Sequence, residues 1–227
     1  MVYRSKEDII TGLIYFLEKY LARALFRVLT RCDVNGKRNV PMKGPLLVVA
    51  NHLSVADPVA IGVFLGRKAI FVAKEELFKN KITGFFVRSF GAFPVYRERP
   101  GRQVIRQANE VLRKGSALVI FPEGKRSRSG SLQEGMPGSA LIAYHNRVPI
   151  LPIGIMGTEV IRGTGWIFRR PSIRLNIGEP FLLPEAGSSL TREKLKEYTD
   201  LIMLKIAILL EEPYRGFYRE KKNEIRD

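Results

Sequence analysis

Five short apolar runs punctuate the chain: Leu46–Ala50, Ile70–Ala73, Ala117–Phe121, Ile150–Ile155 and Ile173–Ile177. Each has the length of a buried strand and falls short of a helix. Helical patterns lie near Val59–Leu65, Arg102–Lys114 and Gly138–Asn146. Thr191–Glu212 reads as a closing amphipathic helix with Leu195, Ile202, Leu204, Ile206 and Leu209 on its core face. Strands that alternate with helices predict an α/β fold with a mostly parallel central sheet flanked by helices. At 227 residues the chain suits one such domain.

Before the first run, a helix is expected over Glu7–Thr30, with Ile9, Ile10, Leu13, Ile14, Leu17, Leu21, Leu25, Val28 and Leu29 apolar and Glu18, Lys19, Arg23 and Arg27 between them. The charges interrupt any stretch of the roughly 18–20 apolar residues that a spanning helix needs. Two fates fit: packing on the domain core, or lying in a membrane interface. The second is favoured, because other stretches along the chain also suit lipid. Gly163–Pro171 sets Trp166, Ile167 and Phe168 beside Arg169 and Arg170, an interfacial combination. Phe85, Phe86, Val87 and Phe90 suit lipid or core, with core preferred. The expected organisation is an N-terminal amphipathic helix over 1–31, a catalytic domain over 32–212, and a charged, mobile tail over 213–227.

The net charge of +16 points to polyanionic partners: phosphate-bearing substrates, an acidic carrier protein, an anionic bilayer or nucleic acid. No nucleic-acid-binding motif accompanies the charge, so nucleic acid is not expected. Cys32 is the only cysteine, which suits a reducing compartment. No metal-ligand spacing, Walker loop, dinucleotide fingerprint or signal peptide is read.

Chemistry gathers where the apolar runs end. Leu46–Ala50 leads into Asn51-His52-Leu53-Ser54-Val55-Ala56-Asp57. Histidine accepts and returns a proton near neutral pH, and a carboxylate can fix its tautomer. Residues five apart on one helix lie about 140° apart, so the pair meets only if the segment turns. Asp57-Pro58 suggests that it does: Asp suits an N-cap and Pro the first helical position. His52–Ala56 is therefore read as a loop and Val59–Leu65 as the helix. The spacing alone equally allows Asp57 as a simple cap and His52 as a polar loop residue.

Ala117–Ile120 leads into Phe121-Pro122-Glu123-Gly124-Lys125-Arg126-Ser127, which joins an acid, a glycine and two cations suited to phosphate. Gly91-Ala92-Phe93-Pro94-Val95-Tyr96-Arg97 closes on a cation, and Val148-Pro149-Ile150-Leu151-Pro152-Ile153-Gly154 is apolar and stiffened by prolines.

These four blocks, in this order, resemble those of the glycerolipid acyltransferases, most closely the 1-acyl-sn-glycerol-3-phosphate acyltransferases. The resemblance spans about residues 46–155, with looser likeness to Glu179. Two positions depart from the family pattern: Lys125 stands where threonine is common, and Tyr96 where an acid is common. The resemblance implies acyl transfer from a thioester to the sn-2 hydroxyl of lysophosphatidic acid, giving phosphatidic acid. The donor would be acyl-coenzyme A or an acyl carrier protein, with no cofactor. It assigns His52 as general base, Asp57 as its orienting partner, and Glu123, Gly124 and Arg126 to acceptor binding, with Arg97 and Lys74 as phosphate cations. The implied setting is peripheral, on the cytoplasmic face of an anionic membrane.

Direct transfer is expected, without an acyl-enzyme, because Ser54 and Ser127 lie outside any nucleophile elbow. Backbone amides near Gly124 or at the start of the helix after Asp57 are the candidate oxyanion donors. Glycerol-3-phosphate or another lysophospholipid is the alternative acceptor. His145 lies outside every block and is read as structural.

Overall fold

The computed structural model describes residues 20–79, 84, 87, 88, 92–95, 100–185 and 190–220. Its strands are β1 (Arg31–Asn35), β2 (Leu46–Ala50), β3 (Ala69–Lys74), β4 (Phe93–Val95), β5 (Ala117–Ile120), β6 (Ile150–Met156) and β7 (Ser172–Ile177). Its helices are α1 (20–29), α2 (Asp57–Phe64), α3 (Glu76–Lys79), α4 (Pro100–Arg113), α5 (Gly138–Asn146) and α6 (Arg192–Ala207). Residues 1–19 of the expected N-terminal helix lie outside the described residues, as do Phe85, Phe86, Phe90, Gly91, Tyr96, Arg97 and the side chain of Lys74.

The strands form one seven-stranded sheet in the order β1-β7-β6-β2-β5-β3-β4. β2 is its spine, and every residue of Leu46–Ala50 is fully buried. Successive side chains of a strand point to opposite faces. Leu46, Val48 and Ala50 accordingly pack with Phe26 of α1 and with Ala60, Ile61, Val63 and Phe64 of α2. Leu47 and Val49 pack with Ala108 and Leu112 of α4, Ile142 of α5, and Tyr198, Ile202 and Ile206 of α6. Two apolar faces with helices on both sides are the condition under which a parallel sheet is stable.

Five strands, β6, β2, β5, β3 and β4, run parallel. β7 pairs with β6 antiparallel and β1 pairs with β7 parallel, so β7 and β1 run opposite to the other five. A parallel neighbour requires a crossover, usually a helix. Residues 157–171 provide only two short 3₁₀ turns, Thr158–Val160 and Gly165–Phe168, so the chain returns beside β6 antiparallel. β1 was not among the expected strands. It is an edge strand that exposes Arg31, Asp33 and Asn35 and turns Cys32 and Val34 toward the core, the charged pattern that discourages edge-to-edge pairing.

Several boundaries differ from the sequence reading. α2 begins at Asp57 with Ala56 as its N-cap, two residues before the expected start. α6 stops at Ala207, and turns replace its expected last residues. Within the stretch expected to be a charged tail, Tyr218 is buried, and its hydroxyl bonds Asp200 and the Gly135 amide, each at 3.1 Å.

Candidate active site

The carboxyl ends of parallel strands all face one edge of a sheet, where ligands of open α/β folds bind. β6, β2 and β5 are neighbours, so the loops after Met156, Ala50 and Ile120 converge there.

Asn51, the first residue past β2, is buried and bonded twice to Ile155: its amide nitrogen donates to the Ile155 carbonyl at 2.8 Å, and its oxygen accepts the Ile155 N–H at 2.7 Å. This pair of hydrogen bonds fixes where the chain leaves the sheet. The 52–56 loop then wraps around the Asp57 carboxylate. Asp57 Oδ2 accepts the N–H of Leu53 at 2.6 Å and of Ser54 at 2.7 Å. The same oxygen meets Nδ1 of His52 at 2.8 Å, and Thr158 donates its hydroxyl to Oδ1 at 2.5 Å. Asp57 thus serves as an acceptor throughout, the role of a carboxylate. Its side chain is fully buried, whereas that of His52 is 17% exposed, so the pair has an inner member and an outer one. The Asp57 side chain does not cap α2; it folds back over the preceding loop.

The β5 loop holds His52 from the other side. His52 donates its N–H to Glu123 Oε1 at 2.8 Å, and its carbonyl accepts the Ser127 N–H at 2.7 Å. The Phe121 ring stacks on the imidazole at 4.1 Å between centroids, 19° from parallel. Both main-chain polar groups and the ring face of His52 are therefore fixed by residues some seventy positions downstream.

Glu123 is 3% exposed. Its Oε2 accepts the Gln133 N–H at 3.0 Å and side-chain amide at 3.2 Å. Burial raises its pKa above the usual carboxylate range, and the bonds from His52 and Gln133 offset this only in part. Gly124 has φ 69, and a Cβ there would lie 2.5 Å from Met136 Sδ. Its N–H bonds the Phe121 carbonyl at 3.0 Å, so this amide is already engaged. Lys125 and Arg126 are exposed at the mouth of the loop.

Lys74 closes β3 in register with Val95 of β4, at the same carboxyl edge as His52. The Ser54 hydroxyl accepts the Ala56 N–H at 3.3 Å, and Ser127 donates its hydroxyl to the Ser131 carbonyl at 2.6 Å. His145 bonds the Leu141 carbonyl at 3.0 Å from the end of α5.

Sequence reasoning overlooked Thr158 and Gln133 as site residues. The cue for Thr158 was available: it follows β6 directly after Gly157. Gly157 has φ 86, and a Cβ there would lie 2.1 Å from the Ser172 carbonyl oxygen. Only glycine makes the turn that delivers Thr158 to Asp57.

Among the described residues there is no cluster of three or more His, Cys, Asp or Glu that could hold a metal ion.

Residues 31–156 match the acyltransferase family model. The 1-acyl-sn-glycerol-3-phosphate acyltransferase of Bacillus subtilis is 29% identical over 195 residues, 83% of this chain and 94% of that one. A chloroplastic enzyme of the same description from Brassica napus is 30% identical over 195 residues, 83% of this chain but 56% of that longer protein. The crystal structure of the 1-acyl-sn-glycerophosphate acyltransferase of Thermotoga maritima superposes with a TM-score of 0.69 at 25% identity, covering 100% of this chain and 86% of that one. The chain belongs to the glycerolipid acyltransferase family.

Proposed function

We propose that the protein acylates the sn-2 hydroxyl of 1-acyl-sn-glycerol-3-phosphate with a fatty acyl group from acyl-coenzyme A or an acyl carrier protein, giving phosphatidic acid. The observation that carries this reading is the 2.8 Å contact between His52 Nδ1 and a buried Asp57 that three further donors hold in place. With Nδ1 engaged, Nε2 is the nitrogen that meets substrate. It takes the hydroxyl proton as the acceptor oxygen attacks the thioester carbonyl. The tetrahedral intermediate expels the thiolate, and His52 returns the proton to it, leaving an ester and a free thiol. Asp57 keeps the tautomer and stabilises the imidazolium.

Ser54 and Ser127 are buried and bonded within their loops, which supports direct transfer. Glu123 acts on the acceptor through His52, by holding its main chain. Arg126, with Gly124 and Lys125 preceding it, meets the acceptor phosphate from the β5 loop, and Lys74 and Arg97 are the further phosphate cations that the family resemblance implies. The Gly124 amide is engaged, and at the start of α2 so are those of Asp57 and Ala60, while Pro58 has none.

Among the described residues no helix is long and apolar enough to cross a membrane. The exposed apolar residues of α1 support peripheral attachment, and a lone cysteine suits the cytoplasmic face.

The test is acyl transfer to lysophosphatidic acid in mixed micelles from both thioester carriers, with wild type beside His52→Ala. Turnover by the wild type and a loss on the order of 10²–10⁴-fold in the variant are expected. Turnover that survives in a folded His52→Ala protein removes His52 as the base. Transfer only to glycerol-3-phosphate or another lysophospholipid reassigns the acceptor.

A further inference from the structure

Loop 162–171, which leads from the site to β7, presents an apolar tip that the chemistry does not use. Phe168 is 90% exposed, Ile167 is also exposed, and Trp166 is half-buried. Exposed Arg162, Arg169 and Arg170 flank them.

The loop is held in a strained shape. Arg170 has φ 43, in the left-handed region, directly before Pro171. Side-chain sterics and the following proline both disfavour that conformation. It persists only where neighbours impose it, and α1 and its exit supply them. Arg170 Nη2 donates to the Arg27 carbonyl at 3.4 Å, and the Pro171 carbonyl accepts the Arg31 N–H at 2.9 Å. Loop and helix are tied into one unit. α1 buries Phe26 edge-on against Phe64 and exposes Leu21, Leu25 and Val28, which share one helical face. Because β7 and β1 run opposite to the central strands, both begin at the edge where β6 and β2 end. The tip, the end of α1 and His52 therefore share that edge.

We propose that the Trp166–Phe168 tip is a second membrane contact, which with the exposed face of α1 seats the carboxyl edge of the sheet on an anionic bilayer. An apolar tip between arginines matches the lipid interface, with rings at the acyl boundary and guanidinium groups at the phosphates. Three residues are too small an area for a stable protein interface, and the +16 charge complements an anionic surface. Two contacts fix how the protein sits, so that an acceptor hydroxyl reaches His52 from the interface. This inference rests on the lipid-acceptor reading above.

Trp166 is the only tryptophan, so intrinsic emission reports this loop alone. The full chain is mixed with vesicles of phosphatidylcholine, with or without phosphatidylglycerol. On anionic vesicles the emission is expected to shift to the blue and to be quenched by brominated acyl chains. Ile167→Ser with Phe168→Ser is expected to weaken flotation with these vesicles on the order of tenfold or more. Its turnover of a water-soluble short-chain lysophosphatidate should be unchanged. Arg162→Gln with Arg169→Gln should weaken binding only when phosphatidylglycerol is present. The proposal is overturned if wild type floats with vesicles while Trp166 emission stays as in water, or if the Ile167/Phe168 variant floats like wild type. Insertion of Trp166 by a protein that acylates no acceptor leaves this contact standing and removes the acyl-transfer reading; turnover with Trp166 left in water does the reverse.

Discussion

Thr158 and Asp57 stand 2.5 Å apart, hydroxyl to carboxylate, and the oxygen that Thr158 holds is not the one that meets His52. The threonine therefore sets the rotation of the carboxylate without competing for the imidazole. A hydrogen bond to a charged group contributes about 1.5–3 kcal/mol. If that energy goes into orienting the pair, Thr158→Val lowers kcat between about tenfold and a hundredfold. KM for the acceptor stays unchanged, because Thr158 is fully buried and its hydroxyl bonds Asp57. Thr158→Ser restores the hydroxyl and most of the rate. Steady-state kinetics of the three proteins check the assignment, and equal kcat in wild type and Thr158→Val would remove it.

Asn51 joins the exit of β2 to β6 through two buried bonds. Asn51→Ala leaves the Ile155 N–H and carbonyl unpaired, at a cost of about 2–4 kcal/mol. Urea denaturation should show a lower midpoint with an unchanged slope. Activity should fall as well, since His52 is the next residue.

Arg126 is exposed at the mouth of the β5 loop and makes no bond in the dyad. If it meets the acceptor phosphate, Arg126→Ala raises acceptor KM by about tenfold or more while thermal stability holds, the size expected for one charge-assisted bond. An acceptor KM unchanged from wild type would place the phosphate elsewhere.

Cys32 faces the core from β1, and its thiol is pushed up to about 11 by burial and by the neighbouring Asp33. In an unfolded chain a thiol ionises near 8.5. The unfolded chain therefore loses its proton first as pH rises. The support that this group gives the fold is complete below about 8.5 and fades as pH climbs toward the folded value. Thermal melts from pH 8 to 11 should fall more steeply for wild type than for Cys32→Ala. Native protein should react slowly with Ellman's reagent at pH 8 and quickly in urea.

β2 and β5 were legible because each is an unbroken apolar run, as a strand covered on both faces requires, whereas β7 was legible from its alternation, with Ile173, Leu175 and Ile177 buried and Arg174 exposed. β1 escaped notice because Arg31, Asp33 and Asn35 interrupt it, and that polarity is what an edge strand needs. The reversal of β7 was hidden in the 157–171 connection, where the missing feature is a helix rather than a motif. The His52–Asp57 pair was readable from a turn signal, yet Asp57 proved to be inside the helix, with its side chain turned back over the loop. Glu123 was readable as a site residue but not as the holder of the His52 main chain, since a carboxylate seventy-one residues away leaves no local trace. Thr158 reaches Asp57 because β6 lies beside β2, a pairing that Gly157 hints at but does not specify, and Gln133 meets Glu123 ten residues away inside one loop that has no periodic pattern to read.

The bond between Thr158 and Asp57 spans 101 residues, and this separation has a consequence in time. A ribosome adds about 5–20 residues per second. His52 and Asp57 leave it together, but the hydroxyl that completes the carboxylate follows about 5–20 s later, and β6 must then dock beside β2 before it arrives. A nascent chain that already carries His52 and Asp57 therefore lacks the hydroxyl that fixes the carboxylate until β6 has docked beside β2.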